Sequence, residues 1–239
     1  ELINRTVKAC RSATESFEVI LIDDGSNDGS ASILAEAAAH YPEIVAVFLN
    51  RNYGQHAAVF AGFKQSRGDF VITIDGDLQN PPEEIPKLIA EIQKGYDVVG
   101  TVRRNRHDSL FRRTASKLIN RAVRRATGVM MSDYGCMLRA YTKPVVDAML
   151  ECREHSTFIP ILANSFARKS TEIDVNHDER RSGDSKYSLF KLIALQFDLL
   201  TSMSTFPLKV LSILGAGMAV AGITFAFMLL VARIILGAA

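Results

Sequence analysis

Several features are scarce or missing in this sequence of 239 residues, and each absence excludes a class of protein. There is no tryptophan, and the three cysteines, Cys10, Cys136 and Cys152, have neither metal-ligand spacing nor an even number. We therefore expect reduced thiols and no disulfide framework. The motifs Gly-x-Gly-x-x-Gly and Gly-x-x-x-x-Gly-Lys do not occur, which argues against dinucleotide-binding and P-loop folds. Residues 1–13 mix charged and apolar residues, so they predict a helix and not a signal peptide.

Charge is nearly balanced overall, with 28 Lys and Arg against 26 Asp and Glu, but it is unevenly distributed. Residues 101–125 hold nine basic residues and one acid, Asp108. Such a segment suits anionic lipid head groups or a diphosphate, and a solvated helix face is the alternative. Phe111 is its one aromatic residue, so we expect no nucleic-acid partner.

The longest apolar run covers residues 210–232, which are 23 residues without a charge between Lys209 and Arg233. At the helical rise it spans about 34 Å, enough to cross a hydrocarbon layer of roughly 30 Å. We predict a transmembrane helix, with a buried core helix as the alternative. Three lysines precede the run, which predicts a cytoplasmic globular part: Lys186, Lys191 and Lys209.

Upstream of this run, apolar segments of strand length alternate with segments of helical periodicity, which indicates an α/β fold. Strands that are continuously apolar suit a mainly parallel sheet covered on both faces. The predicted strands are 17–22, 44–49, 70–74, 97–101 and 171–175, and the predicted helices are 28–40, 55–66, 83–94, 110–127, 156–168 and 188–203.

The last predicted helix, 188–203, is amphipathic, with its apolar residues on one stripe. It suits either the membrane interface or packing on the sheet, and its proximity to the apolar run favours the interface. The predicted organisation is an α/β domain at 1–186, an interface helix at 187–206 and a transmembrane segment at 207–239.

Acidic residues follow two of the predicted strands. Asp23-Asp24-Gly25-Ser26 follows the first, and Asp75-Gly76-Asp77 follows the third. Open α/β sheets bind ligands at the carboxyl ends of their strands, and we expect these two strands to be neighbours. Two carboxylates spaced in this way can hold a hard divalent cation together with phosphate oxygens. Such a cation would neutralise a departing diphosphate.

Two other interpretations of the Asp-x-Asp motif stay open at this point. Acids at strand ends often cap the following helix. The motif also opens phosphatases of the haloacid dehalogenase type, in which the first Asp is a nucleophile. Those enzymes usually continue with Gly-Thr or Gly-Val, whereas Leu78-Gln79-Asn80 follows here.

A second group of polar residues precedes the predicted interface helix. Arg180, Ser185 and Lys186 fit a phosphate-binding site. Arginine donates two parallel N–H hydrogen bonds to phosphate oxygens, and lysine adds a point charge. Gly183 lets the backbone come close to the phosphate. An exposed basic loop is the alternative. Arg139 could add charge to this site, and an ordinary surface arginine is equally consistent with the sequence.

Four motifs follow one another along the chain: Asp23-Asp24-Gly25-Ser26, Asn50-Arg51-Asn52-Tyr53-Gly54, Asp75-Gly76-Asp77-Leu78-Gln79 and Gly183-Asp184-Ser185-Lys186-Tyr187. This succession resembles the family 2 glycosyltransferases that act on polyprenyl phosphates, and the resemblance covers nearly the whole chain. The resemblance implies a GT-A fold and inverting transfer of a sugar from a UDP-sugar to undecaprenyl phosphate, with Mg²⁺ or Mn²⁺. It also implies the cytoplasmic face of a bacterial inner membrane, a role in lipid A modification and a homotetramer.

The longer strings 77–86, 133–141 and 156–164 favour the members of this family that transfer 4-deoxy-4-formamido-L-arabinose. A sugar of the glucose or mannose type is the alternative. Processive polysaccharide synthases carry a Gln-x-x-Arg-Trp signature, and the absence of tryptophan from this sequence argues against them. A catalytically silent membrane scaffold that binds a nucleotide is the remaining alternative outside the enzymes.

The resemblance also implies roles for individual residues. The residues implied in nucleotide binding are Asp23, Asp24, Gly25, Ser26, Asn52, Asp75 and Gly76. The implied metal ligands are Asp75 and Asp77, and the implied catalytic residues are Asp77 and Asp133. The residues implied in binding the acceptor phosphate are Arg139, Arg180, Ser185 and Lys186. Asp133 would be the carboxylate nearest the acceptor. A phosphate monoester is largely dianionic at neutral pH, so Asp133 could orient groups rather than take a proton, and a structural Asp at a turn is the alternative.

The sequence departs from the family pattern in two respects. Family members open with an apolar strand ending in a Pro-x-Tyr-Asn-Glu-like segment, and they continue to a second membrane span. Neither feature occurs here, so we expect this sequence to be a fragment of a longer protein.

Overall fold

Strands and helices alternate through the first hundred residues, as the apolar pattern predicts. The computed structural model describes residues 1–103, 136–152, 158–176 and 206–237. No boundary in the first hundred residues differs from the prediction by more than two residues. The elements are α1 (Leu2–Ala13), β1 (Val19–Asp23), α2 (Ser30–His40), β2 (Ile44–Phe48), α3 (Gln55–Gln65), β3 (Phe70–Thr73), a 3₁₀ turn (Pro82–Glu84), α4 (Ile85–Ile92) and β4 (Val98–Arg103).

The next part of the chain adds two elements that the sequence analysis missed, β5 (Arg139–Thr142) and α5 (Lys143–Glu151). They are followed by α6 (Ile159–Phe166) and β6 (Ser170–Val175), which match the predicted helix 156–168 and strand 171–175. β5 has only four residues, and a charged arginine begins it, so it lacks the apolar run that marks the other strands. The predicted helices 110–127 and 188–203 lie outside the described residues.

The described strands form two hydrogen-bonded sheets. β1 and β2 pair in parallel, with Val19 opposite Ile44. The second sheet has the order β3-β5-β4-β6, in which β4 and β6 are parallel and β5 is antiparallel to both of its neighbours. The prediction of a mainly parallel sheet is therefore corrected to a mixed one. β1 and β3 share no ladder, so the expectation that they are neighbouring strands is also corrected.

The direction of β5 follows from where the chain enters the sheet. β4 ends at Arg103, and β5 begins at Arg139, which lies opposite Thr73, the last residue of β3. A strand that enters at the carboxyl end of its neighbours runs back along them, which makes it antiparallel. β5 therefore starts at the edge of the sheet where β3 leads into Asp75.

Helices cover both faces of the four-stranded sheet. On one face, Tyr141 of β5 packs with Phe63 of α3 and Met149 of α5, and all three are almost fully buried. On the other face, Leu88 of α4 packs with Ala140 of β5. Successive strand residues point to opposite faces, so one short strand contributes to both layers of the core. Each large apolar side chain buried in this way contributes about 1.5–3 kcal/mol.

The chain divides into two compact units, residues 1–186 and 187–239. In the second unit, α7 (Phe206–Leu236) contains the apolar stretch Leu211–Ile235, which has 25 residues and a mean hydropathy of 2.2. The described side chains of this stretch are largely exposed, Phe225 by 64%. By length and composition this helix is a candidate membrane span, as the predicted run 210–232 indicated.

Candidate active site

The first acidic loop begins where β1 ends. Asp23 is 5% exposed, and its Oδ1 accepts a hydrogen bond from the Ser26 amide at 3.1 Å. Gly25 has a φ of 71°, a left-handed conformation that glycine adopts without the penalty of a side chain. A carboxylate that accepts from its own loop in this way closes a tight turn. The predicted residues 23–26 thus form one compact loop at the carboxyl end of β1.

This acidic loop packs directly against the segment 50–54. A Cβ added to Gly25 would lie 2.5 Å from the carbonyl carbon of Arg51 and 2.7 Å from the nitrogen of Asn52, closer than real Cβ atoms approach. The structure therefore brings Asn52 next to Gly25. The contact is possible only because residue 25 has no side chain.

Asp24 holds the same segment by its backbone. Its Oδ1 accepts from the Tyr53 amide and its Oδ2 from the Gly54 amide, both at 2.8 Å. Charge-assisted bonds of this kind are about twice as strong as neutral ones. Asp24 therefore fixes the backbone of residues 53 and 54 against the first acidic loop.

A glutamine that the sequence analysis missed joins the second acidic loop to this assembly. Gln55 begins α3, and its Nε2 donates to Oδ1 of Asp75 at 2.7 Å. The two acidic loops are thus linked through the segment 50–55 and not through a ladder between β1 and β3. The signal that could have identified Gln55 is its position directly after Asn52-Tyr53-Gly54, at the first turn of a helix.

The Asp75-Gly76-Asp77 loop concentrates negative charge. Burial and the neighbouring Asp77 carboxylate raise the pKa of Asp75, while the bond from Gln55 and the charge of Arg103 act in the opposite direction. Asp77 Oδ1 accepts from the Gln79 amide at 3.1 Å, and Leu78 between them has a φ of 61°. Two carboxylates that repel each other in a half-buried loop are stabilised by a cation between or beside them.

The donor atoms of this loop fit a divalent cation that also binds a substrate. Within the described part of the chain, no group of three or more His, Cys, Asp or Glu side chains could hold a metal ion. Asp75 and Asp77 supply carboxylate oxygens only. Mg²⁺ typically uses one or two carboxylates and completes its coordination with water and substrate phosphates. The loop fits that pattern better than a closed site built from protein alone.

Arg139 lies in a different place from the one expected. It is 1% exposed, and its Nε donates to the carbonyl oxygen of Cys136 at 2.8 Å. The interpretation as a surface arginine is therefore wrong, and the burial argues against direct contact with an acceptor phosphate. The other predicted residues, Asp133, Arg180, Ser185 and Lys186, lie outside the described residues, as does most of the basic segment 101–125.

Residues 1–149, which include both acidic loops, match the family described as glycosyl transferase family 2. The chain belongs to this family. Its relatives include the undecaprenyl-phosphate 4-deoxy-4-formamido-L-arabinose transferase of Pseudomonas fluorescens strain Pf-5, which is 64% identical over 239 residues, covering 100% of this chain and 70% of that protein. The enzyme of that name from Proteus mirabilis is 59% identical, over 100% of this chain and 73% of that protein.

Solved structures of the same fold support the architecture of this glycosyltransferase. Glucosyl-3-phosphoglycerate synthase from Mycobacterium tuberculosis, in complex with Mn²⁺, UDP-glucose and phosphoglyceric acid, matches with a TM-score of 0.61 and 17% identity, over 84% of this chain and 73% of that one. The GT-A prediction is confirmed, and so is the prediction of a glycosyltransferase. The phosphatase interpretation of Asp75-Gly76-Asp77 is correspondingly set aside.

Proposed function

We propose that this glycosyltransferase moves 4-deoxy-4-formamido-L-arabinose from a UDP-sugar to undecaprenyl phosphate at the cytoplasmic face of a bacterial inner membrane. The observation that carries the proposal is the identity of 59–64% to transferases of that name over the full length of the chain. The role in lipid A modification and the homotetramer remain predictions from the family resemblance.

The donor site is proposed to lie between the two acidic loops. Asp23 and Asp24 fix the loop against residues 52–54, which gives a rigid wall for the nucleoside. Asp75 and Asp77 are the residues that would hold Mg²⁺ or Mn²⁺, and such an ion supplies charge neutralisation at the departing diphosphate. Gln55 keeps Asp75 oriented by its bond at 2.7 Å.

The proposed reaction is a single displacement at the anomeric carbon. A phosphate oxygen of the lipid forms the new bond to this carbon from one face, while the bond to the UDP oxygen breaks on the other, so the configuration inverts. Arg180, Ser185 and Lys186 are proposed to hold the attacking phosphate in line, which lowers the barrier chiefly by positioning. Asp133 is proposed to orient the acceptor, because a dianionic phosphate needs no base.

α7 supports the membrane part of the proposal. Its apolar stretch of 25 residues is long enough to anchor the protein in the bilayer that contains the acceptor lipid. A soluble nucleotide-sugar and a lipid phosphate meet only at the membrane surface. An anchored transferase therefore suits this pair of substrates.

The test is transfer of labelled sugar to undecaprenyl phosphate by membranes that contain the protein. We expect lipid-linked label from the UDP-linked formamido-arabinose, loss of label with EDTA, and loss of label in Asp77→Asn. Asp147→Asn is the matched control, because Asp147 lies on α5 in an ion pair with Lys143 at 2.8 Å, outside both acidic loops. Intact transfer by Asp77→Asn would refute the assignment of Asp77, and label only from a glucose or mannose donor would refute the sugar.

A further inference from the structure

Three consecutive backbone carbonyls lie buried just before β5. Cys136, Met137 and Leu138 are 2%, 6% and 0% exposed, yet they precede the first residue of the β5 ladder, Arg139. Buried carbonyl oxygens without a ladder partner must find another donor, because leaving them unpaired costs about 1–3 kcal/mol each. The question is which groups supply these hydrogen bonds.

Each of the three carbonyl oxygens accepts a hydrogen bond from a side chain. Cys136 accepts from Arg139 Nε at 2.8 Å, Met137 from Thr73 Oγ1 at 2.5 Å, and Leu138 from Thr101 Oγ1 at 2.7 Å. The donors come from three different strands, β5, β3 and β4. We call these three side chains, Thr73, Thr101 and Arg139, the carbonyl clamp.

The carbonyl clamp is connected to the Asp75-Gly76-Asp77 loop through a thiol. The Cys136 thiol lies 3.0 Å from Thr101 Oγ1 and 3.5 Å from Oδ1 of Asn80, to which it donates. Asn80 is 3% exposed and follows Asp77 by three residues. A continuous buried contact therefore runs from the clamp to the end of the acidic loop.

The clamp includes a charge that the fold buries at a cost. Arg139 extends over Gly100 of β4, where an added Cβ would lie 2.9 Å from Nη1 of Arg139 and 3.3 Å from Cγ of Glu172. Removing a charged group from water costs several kcal/mol even after relaxation, and apolar residues often stabilise such a position better. The guanidinium of Arg139 is held in this position by its bond to the Cys136 carbonyl and by its packing over Gly100.

We propose that Thr73, Thr101 and Arg139 are positioning residues that hold Cys136 and, through Asn80, set the placement of the Asp75-Gly76-Asp77 loop for sugar transfer. This inference rests on the proposed function of that loop. It replaces the expected contact of Arg139 with the acceptor phosphate by an indirect role.

The test compares Thr101→Val, which keeps the shape but removes the hydroxyl donor, with Thr101→Ser, which retains it. Ser66→Ala is the matched control: Ser66 is buried and its Oγ donates to the Phe63 carbonyl at 2.7 Å, at the end of α3, before β3 begins. Each full-length variant is purified in detergent. The measurements are the melting temperature, Mn²⁺ binding with UDP followed by electron paramagnetic resonance, and kcat and KM for transfer.

We expect Thr101→Val to lower kcat about tenfold or more at saturating Mn²⁺ and donor, because small misplacements of reacting groups are costly. Mn²⁺ binding should weaken in parallel, and Thr101→Ser should restore both. Ser66→Ala should lower the melting temperature by about as much as Thr101→Val does, and it should keep the wild-type kcat and Mn²⁺ binding. Equal kcat for Thr101→Val and Ser66→Ala at equal melting temperature would overturn the proposal.

A second variant covers the case in which Thr101→Val does not fold. Cys136→Ala leaves the three carbonyl bonds intact and removes the thiol, with its contacts to Thr101 Oγ1 and to Oδ1 of Asn80. We expect it to fold and to weaken Mn²⁺ binding, and unchanged Mn²⁺ binding would overturn the connection to the loop. If the wild-type protein transfers no sugar at all, the proposed function fails, while the Mn²⁺ titrations still decide the role of the clamp.

Discussion

Alanine variants of Gly25 and Gly29 should separate backbone strain from the contact between the loop 23–26 and the segment 50–54. Both glycines have positive φ, 71° and 83°. A Cβ on Gly29 would meet nothing within 4 Å, whereas one on Gly25 would meet the backbone of Arg51 and Asn52. Both substitutions therefore place a side chain on a left-handed backbone, but only Gly25→Ala also brings a Cβ against the segment 50–54.

The structure sets the expected size of each effect. A left-handed conformation costs an L-residue about 1–2 kcal/mol, and this applies to both variants. At Gly25 the added carbon would lie 2.5 Å from a backbone carbon, so one loop must move away. Overpacking of this kind costs about a further 1–3 kcal/mol. We expect Gly25→Ala to lose roughly twice the stability that Gly29→Ala loses.

The assay is thermal unfolding of the detergent-solubilised protein together with UDP binding by calorimetry. For a domain of this size, each kcal/mol lost lowers the melting temperature by about 2–4 °C. Gly25→Ala should also weaken UDP binding, because Asn52 and the amides held by Asp24 move with the loop. Gly29→Ala should bind UDP as the wild type does. Equal losses of stability and equal UDP binding in the two variants would refute the inferred contact.

Two further predictions concern the second sheet and the acidic loop. Gly100→Ala should lower the melting temperature less than Gly25→Ala does, because its Cβ would lie 2.9 Å from Nη1 of Arg139, a side-chain end that can shift, and not from backbone; an equal loss in the two variants would contradict this packing. Burial and the Asp77 carboxylate raise the pKa of Asp75 in the folded state. As pH rises, the unfolded state therefore loses the Asp75 proton before the folded state does. The stability that comes from the protonated Asp75 is then lost as pH rises through the raised pKa. Asp75→Asn should therefore melt higher than the wild type at neutral pH without metal, with a difference that shrinks on acidification and reverses when Mn²⁺ and UDP are added.

The order of elements in the first hundred residues could be predicted because their patterns are local. Each strand from β1 to β4 is a short apolar run bounded by turns, and each helix shows its own periodicity. The acidic loops were found for the same reason, since a strand followed by Asp and Gly is visible within a few residues. The candidate membrane span in α7 could be predicted from the length and composition of its apolar run alone.

Pairing and burial between distant residues had to come from the tertiary structure. The position of β5 between β3 and β4 involves contacts between distant residues. The hydroxyl of Thr73, for example, donates to the carbonyl of Met137, 64 residues away, and no local pattern encodes that contact. Arg139 has the composition of a surface residue, and it is buried because Gly100 on another strand leaves room for it.

The sequence by itself therefore determined the α/β alternation, the two acidic loops and the candidate span, since these depend on neighbours along the chain. Tertiary structure decided the mixed sheet, the link from Gln55 to Asp75 and the carbonyl clamp. These features depend on contacts between residues far apart along the chain, and no local pattern of the sequence encodes such contacts.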